Sequence, residues 1–211
     1  MIANNPVEVG FVGSLNKPGG NLTGVTSLNV EVAAKQVELL HELVPMATIM
    51  ALLVNPTGPL AEPTTRAVQA AAHVLGLKLQ VLHASTERDF DGVFATLVDV
   101  QAGALVIAPD ALFTSRREQL GALTVRHALP ASAPYRDFAA ASGLMSYGSN
   151  IAEAYRLAGV MTGRVLKGEK PAELPVMQST KVELVVNLKT ARTLGLTVPL
   201  SLVGRADEVI E

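Results

Sequence analysis

The strongest constraint on this fold is an alternation between residues 47 and 137, where short, continuous apolar runs are separated by stretches of helical period. Thr48 to Val54 (TIMALLV) reads as a buried strand and ends at Asn55-Pro56-Thr57-Gly58-Pro59, a sequence of turn formers. From Glu62 to Leu75 the apolar residues Ala67, Val68, Ala71, Ala72 and Leu75 recur at helical spacing, and Gly76 is placed to stop that helix. A strand is expected at Lys78 to His83, then a helix capped by Asp89 and running to about Val100. Ala104 to Ala108 (ALVIA) is a further strand ending at Pro109-Asp110, and a helix over about Ser115 to His127 follows. Strand and helix in this rhythm specify right-handed crossovers and a parallel sheet, because short connections leave few other topologies.

Composition agrees. Apolar residues make up 49% of the 211 and aromatics 4%, a balance of Ala, Val and Leu that suits helices packed on a sheet. A chain of this length buries roughly 70% of its unfolded surface, enough for a core without metal or disulfide staples. It has no cysteine, which excludes disulfides, thiolate nucleophiles, iron–sulfur clusters and cysteine zinc sites. With 17 Lys and Arg against 19 Asp and Glu, no broad field favours nucleic acid or an anionic membrane. No apolar run approaches the ~20 residues of a membrane span, so direct insertion is not expected. Met1 to Gly10 lacks the sections of a secretion signal.

Beyond the alternating core, a strand at Gly143 to Tyr147 precedes a helix at Ile151 to Leu166, closed by Lys167-Gly168. A Pro-rich link, Lys170 to Val176, leads to a strand at Glu183 to Asn187 and a short helix at Leu188 to Leu194, with the tail expected at a sheet edge. Residues 1 to 30 offer a loop-rich piece before a helix at Glu31 to Leu43. The expected division is a complete α/β lobe over 47–148 and an incomplete second lobe from 1–46 and 149–211.

Catalysis has no visible owner. The four histidines, His41, His73, His83 and His127, stand singly, without metal-ligand spacing, and read as surface or structural residues. No nucleophile elbow, Walker lysine loop or Gly-x-Gly-x-x-Gly fingerprint is present. The loop Pro18 to Gly24 lacks the lysine of a phosphate cradle and reads as a tight turn. More informative are the carboxyl ends of the strands, where open parallel sheets bind ligands. Asn55, Pro56 and Thr57 follow one strand, Asp110 another, Tyr135 and Arg136 the short segment Leu129 to Ala133, and Tyr147 stands by a fourth. A carboxylate, an amide, a hydroxyl, a guanidinium and two phenols on one rim suit a small zwitterion or sugar-like ligand. Each has a structural reading as well: Asn55 and Asp110 as helix caps, Arg136 paired with Asp137 in solvent, Tyr147 as core.

Several ordered stretches, spread over nearly the whole chain, resemble the family of ABC-transporter substrate-binding proteins that includes the proposed tryptophan and tyrosine binders. They are Leu15 to Gly24 (LNKPGGNLTG), Glu38 to Pro45 (ELLHELVP), Leu53 to Pro56 (LVNP), Gly143 to Gly148 (GLMSYG), Arg164 to Pro175 (RVLKGEKPAELP), Lys181 to Leu196 (KVELVVNLKTARTLGL) and the closing Arg205 to Ile210. The resemblance implies a type I periplasmic-binding-protein fold: two α/β lobes closing on a small organic ligand, such as an amino acid, in an interlobe cleft and delivering it to a membrane permease. The helix at Ile151 to Leu166 and the strand at Glu183 to Asn187 would return to the first lobe. By motif, the candidate Asn5 lies in a loop that in the family precedes the Pro-Gly-Gly turn, Asn55, Asp110 and Tyr147 fall on cleft-facing loops, a ligand amine would sit on Asp110, and Tyr135 or Tyr147 would supply an aromatic wall.

Family members begin with an export signal and further strand–helix units, so the chain is expected to be N-terminally truncated, with Met1 where the last of those strands would end. The implied setting is periplasmic or lipid-anchored extracellular, and cytoplasmic if the chain starts at Met1 without a signal. No cofactor and no metal is implied. The other readings are a ligand-sensing regulatory module on the same design and a flavodoxin-like enzyme using Asp110 as a base.

Overall fold

The computed structural model describes residues 6, 7, 10–27 and 29–211. In chain order the elements are β1 (Val25–Ser27), α1 (Asn29–Leu43), β2 (Ile49–Val54), α2 (Ala61–Val74), β3 (Lys78–His83), α3 (Phe90–Asp99), β4 (Ala104–Ile107), α4 (Ala111–Ser115), α5 (Arg117–Arg126) and β5 (Ala131–Ala133). They continue with α6 (Arg136–Ala140), β6 (Met145–Ser149), α7 (Ile151–Leu166), β7 (Met177–Ser179), β8 (Val182–Asn187), α8 (Leu188–Thr193), α9 (Leu200–Val203) and β9 (Glu208–Ile210). The chain forms two compact units, a larger one from Val30–Gly148 with Glu183–Glu211 and a smaller one from the residues up to Asn29 with Ser149–Val182.

The larger unit is built on a seven-stranded sheet of order β3-β2-β4-β5-β6-β8-β9. β2 pairs in parallel with β3 and β4, β4 with β5, and β5 with β6. At the far side Asn187 N–H donates to the Leu144 carbonyl and Asn150 N–H to the Lys181 carbonyl. Those two pairings run β8 against β6, and β9 lies parallel to β8 at the edge.

The apolar runs are continuous because helices cover both faces of this sheet. Met50, Leu52 and Val54 of β2 pack with Val37 and Leu40 of α1 and Val68 of α2. Ala51 and Leu53, pointing the other way, pack with Phe90 and Phe94 of α3, Phe113 of α4, Leu120 of α5 and Phe138 of α6. Leu52 and Leu105, both fully buried, represent the two faces. Truncating either to alanine costs about 2–5 kcal/mol by the usual transfer and cavity terms.

Local signals end the elements as expected in some places and differently in others. Gly76, at φ 68°, stops α2: its N–H donates to His73 O and Leu77 N–H to Ala72 O, a Schellman ending. The helix expected over about Ser115 to His127 is α5, Arg117–Arg126, and before it stands the short α4, which was not expected: Asp110 caps it, and Arg116, paired with Glu87 at 2.5 Å, separates it from α5. Asp89 folds back rather than capping α3: its Oδ2 accepts from Ser85 and Thr86 N–H, both at 2.8 Å, closing a capping box around the 3₁₀ turn Glu87–Asp89. The sheet extends well past residue 137, since β6, β8 and β9 join it. The helix expected at 31–43 and the strand expected at 183–187 both belong to the larger unit.

In the smaller unit β1 and β7 form a two-stranded parallel sheet, with Val25 opposite Met177 and Ser27 opposite Ser179. Asn150 caps α7 by accepting from Glu153 N–H at 2.7 Å. Around the glycine loop, Gly13 N–H donates to the Pro18 carbonyl and Gly19 N–H to the Ala172 carbonyl. Thr23 Oγ1 ties it to Leu174 O at 2.8 Å.

Candidate functional site

Because β2, β4, β5 and β6 are parallel neighbours, their carboxyl ends lie along one edge of the sheet. The segments leaving those ends carry six of the expected site residues; of the other two, Tyr147 lies within β6 and Asn5 outside the described residues. The structure brings these segments together in pairs.

The first pair joins the loops after β2 and β4. Asn55 is not a helix cap, since α2 starts after Leu60. Its Oδ1 accepts from Thr57 N–H at 3.2 Å and Thr57 Oγ1 at 2.8 Å, while Gly58 N–H donates to its carbonyl at 2.9 Å. Pro56 is thereby held inside a tight Asx turn. That turn sets Gly58 against Asp110, so close that a Cβ there would lie 2.9 Å from Asp110 Oδ2 and 3.2 Å from the Asn55 carbonyl. Asp110 does cap a helix: its Oδ1 accepts from Leu112 N–H at 2.8 Å, and its own carbonyl accepts from Thr114 Oγ1 at 2.8 Å. The carboxylate is therefore fixed through one oxygen, with the other turned toward Gly58.

The second contact joins the loop after β5 to β6 itself, where a Cβ on Gly148 would meet the Pro134 carbonyl at 2.1 Å. Only glycine fits that approach. Tyr135 occupies the residue before α6, and Arg136 is the first residue of that helix. Tyr147 lies within β6 rather than on a loop.

The two phenols do not form one wall. Tyr147 packs against the core on the α1 side. Tyr135 lines an apolar cavity shared with Ile107, Phe113, Leu120 and Phe138 on the opposite side. That cavity, about 20 Å³, has room for roughly one water molecule. A ligand of amino-acid size would lie on the rim rather than inside it.

Arg136 is held by a residue that local sequence could not indicate. Its Nε and Nη2 donate to the two carboxylate oxygens of Glu208, at 2.6 and 2.5 Å, rather than to Asp137. The hydrogen bonds to Glu208 raise the guanidinium's pKa further, and the fork ties α6 to the edge strand β9. Sequence reasoning also missed Gln36 of α1, whose Nε2 donates to the Tyr147 carbonyl at 2.7 Å.

A mostly parallel sheet with helices on both faces is an α/β layered fold, and the solved structures that share it make it periplasmic-binding-protein-like. Residues 1–210 match the family of ABC transporter substrate binding proteins, and the chain belongs to that family. The ABC domain from Streptococcus pneumonia in complex with L-Trp is 26% identical at a TM-score of 0.87, over 99% of this chain and 70% of that one. A conserved domain protein from Vibrio cholerae shares the fold at a TM-score of 0.87 and 22% identity, over 97% of this chain and 68% of its own. A tyrosine-binding protein from Clostridioides difficile is 23% identical over 91% of this chain, which spans 55% of that relative's length. No helix among the described residues is long and apolar enough to cross a membrane.

Proposed function

We propose that this chain supplies a ligand-binding face of an ABC uptake transporter's solute-binding protein, and that its ligand is an amino acid with an aromatic side chain. The observation that carries the reading is Asp110. Its carboxylate is fixed by a helix-capping bond at one oxygen and pressed toward a glycine turn at the other, on the edge of the sheet where such folds take ligands. A fixed anion of this kind is suited to a ligand ammonium group. Membership of the substrate-binding family, and relatives that hold L-Trp or are named for tyrosine, support the same ligand class.

In this reading Asn55 and Thr57 shape the turn beside the carboxylate, and Tyr135 and Tyr147 border the rim from opposite faces of the sheet. The activity is binding without turnover. The partner is a membrane permease, and the setting is periplasmic or lipid-anchored at the cell surface. A thermal-shift screen of the chain against amino acids, nucleosides and sugars tests this. Stabilisation by L-Trp or L-Tyr is expected; stabilisation by a sugar or nucleoside instead overturns the ligand class.

A further inference from the structure

The face that α1 turns to the sheet is apolar at Ala33, Val37 and Leu40, all at most 1% exposed, and Gln36 interrupts it while being equally buried. Its Nε2 donates to the Tyr147 carbonyl at 2.7 Å, and its Oε1 is buried with no hydrogen-bond partner among the described residues. A buried amide with an idle acceptor is poor core packing; an apolar side chain of similar length would fill the space without that cost. What the amide contributes is the bond to Tyr147.

That bond falls where β6 needs it. The register of β5 with β6 ends at Ala133 opposite Ser146, so Tyr147 lies one residue beyond the ladder on that side. One residue further, Gly148 abuts the Pro134 carbonyl, and there the chain leaves the larger unit. Past the β5 ladder, Tyr147 and Gly148 of β6 are thus held on that side by the Gln36 amide and the Pro134 contact.

We infer that Gln36 is a positioning residue for the binding rim: by holding the Tyr147 carbonyl it fixes the closing part of β6, and with it the placement of Tyr147 and Gly148. The assignment rests on the rim being the ligand surface. Gln36→Met keeps the length and removes the donor, and Gln36→Glu replaces it with an acceptor. The spectroscopic arm compares carbonyl ¹³C and amide ¹⁵N shifts of the ligand-free proteins. Both variants are expected to move the Tyr147 carbonyl and Gly148 amide signals while those of β2 and β4 stay in place. The calorimetric arm titrates L-Trp and L-Tyr, and about a tenfold loss of affinity is expected in both variants, the equivalent of one neutral hydrogen bond.

Unmoved Tyr147 and Gly148 signals, or affinity within twofold of the wild type, overturns the assignment. Gln36→Met decides if Gln36→Glu fails to fold. If the wild-type protein takes neither amino acid, the ligand reading fails on its own, and the spectroscopic arm still decides whether Gln36 holds the closing part of β6.

Discussion

Gly58 and Asp110, 52 residues apart in the chain, approach so closely that the smallest side chain at 58 would put a carbon 2.9 Å from the carboxylate. The contact joins the loops after two neighbouring strands and leaves the carboxylate one direction in which to present charge. Gly58→Ala must displace Asp110 Oδ2, the Asn55 carbonyl, or both. Affinity for an amino-acid ligand is expected to fall about tenfold, with a stability loss of about 1 kcal/mol, the common effect of a point substitution. Calorimetry and urea unfolding on the same preparation separate the two effects.

Asp110 has a structural duty apart from its charge. Asp110→Ala removes the bond from Leu112 N–H and is expected to cost about 0.5–2 kcal/mol in urea unfolding. Asp110→Ser restores an N-cap acceptor and recovers most of that stability without restoring ligand affinity. Recovery of affinity by serine would show that the cap alone, and not the carboxylate, matters for binding.

Arg136 is expected to behave as a clamp on β9. Its bidentate bond to Glu208 is solvent-exposed, so Arg136→Ala lowers stability by less than about 1 kcal/mol. Ligand affinity should stay within twofold. A tenfold loss would place the guanidinium among the ligand contacts.

Acid stability has a local source at Asp89, whose carboxyl is held below its ordinary pKa, chiefly by the backbone N–H of Thr86 and then that of Ser85. With a folded pKa lower than the unfolded one, its contribution is fully present above the unfolded value of about 4 and is lost as pH falls through the folded one. Asp89→Asn is therefore expected to flatten the fall of the urea midpoint below about pH 4 relative to the wild type. Parallel curves would contradict this.

Much of the fold is legible where local chemistry decides it. The runs over β2 and β4 are apolar without alternation because both faces of the sheet are covered, and Gly76 stops α2 because a left-handed residue is needed there. The short helix α4 was not legible, since it is set by the cap at Asp110 and separated from α5 by Arg116, whose partner is the distant Glu87. Strand order past β5 was equally hidden. Whether β8 and β9 extend this sheet or another is settled by pairings across long stretches of chain.

The site divides in the same way. That Asn55, Asp110 and Tyr135 follow strand ends could be read from the apolar runs before them. Gln36 sits in an apolar helical stripe, and Glu208 near the end of the chain, so neither carries a local signal pointing to Tyr147 or Arg136.

The central claim, a ligand ammonium held by Asp110, is tested most directly by titrating wild-type and Asp110→Asn proteins with L-Trp and with indole-3-propionate, which lacks only the amino group. Asparagine keeps an acceptor for the cap and removes the charge. The expected result is a loss of at least tenfold on removing either the charge or the amino group, and little further loss on removing both, the signature of two groups that act on each other. Equal affinity of the wild type for the two ligands, or of the two proteins for L-Trp, would contradict it.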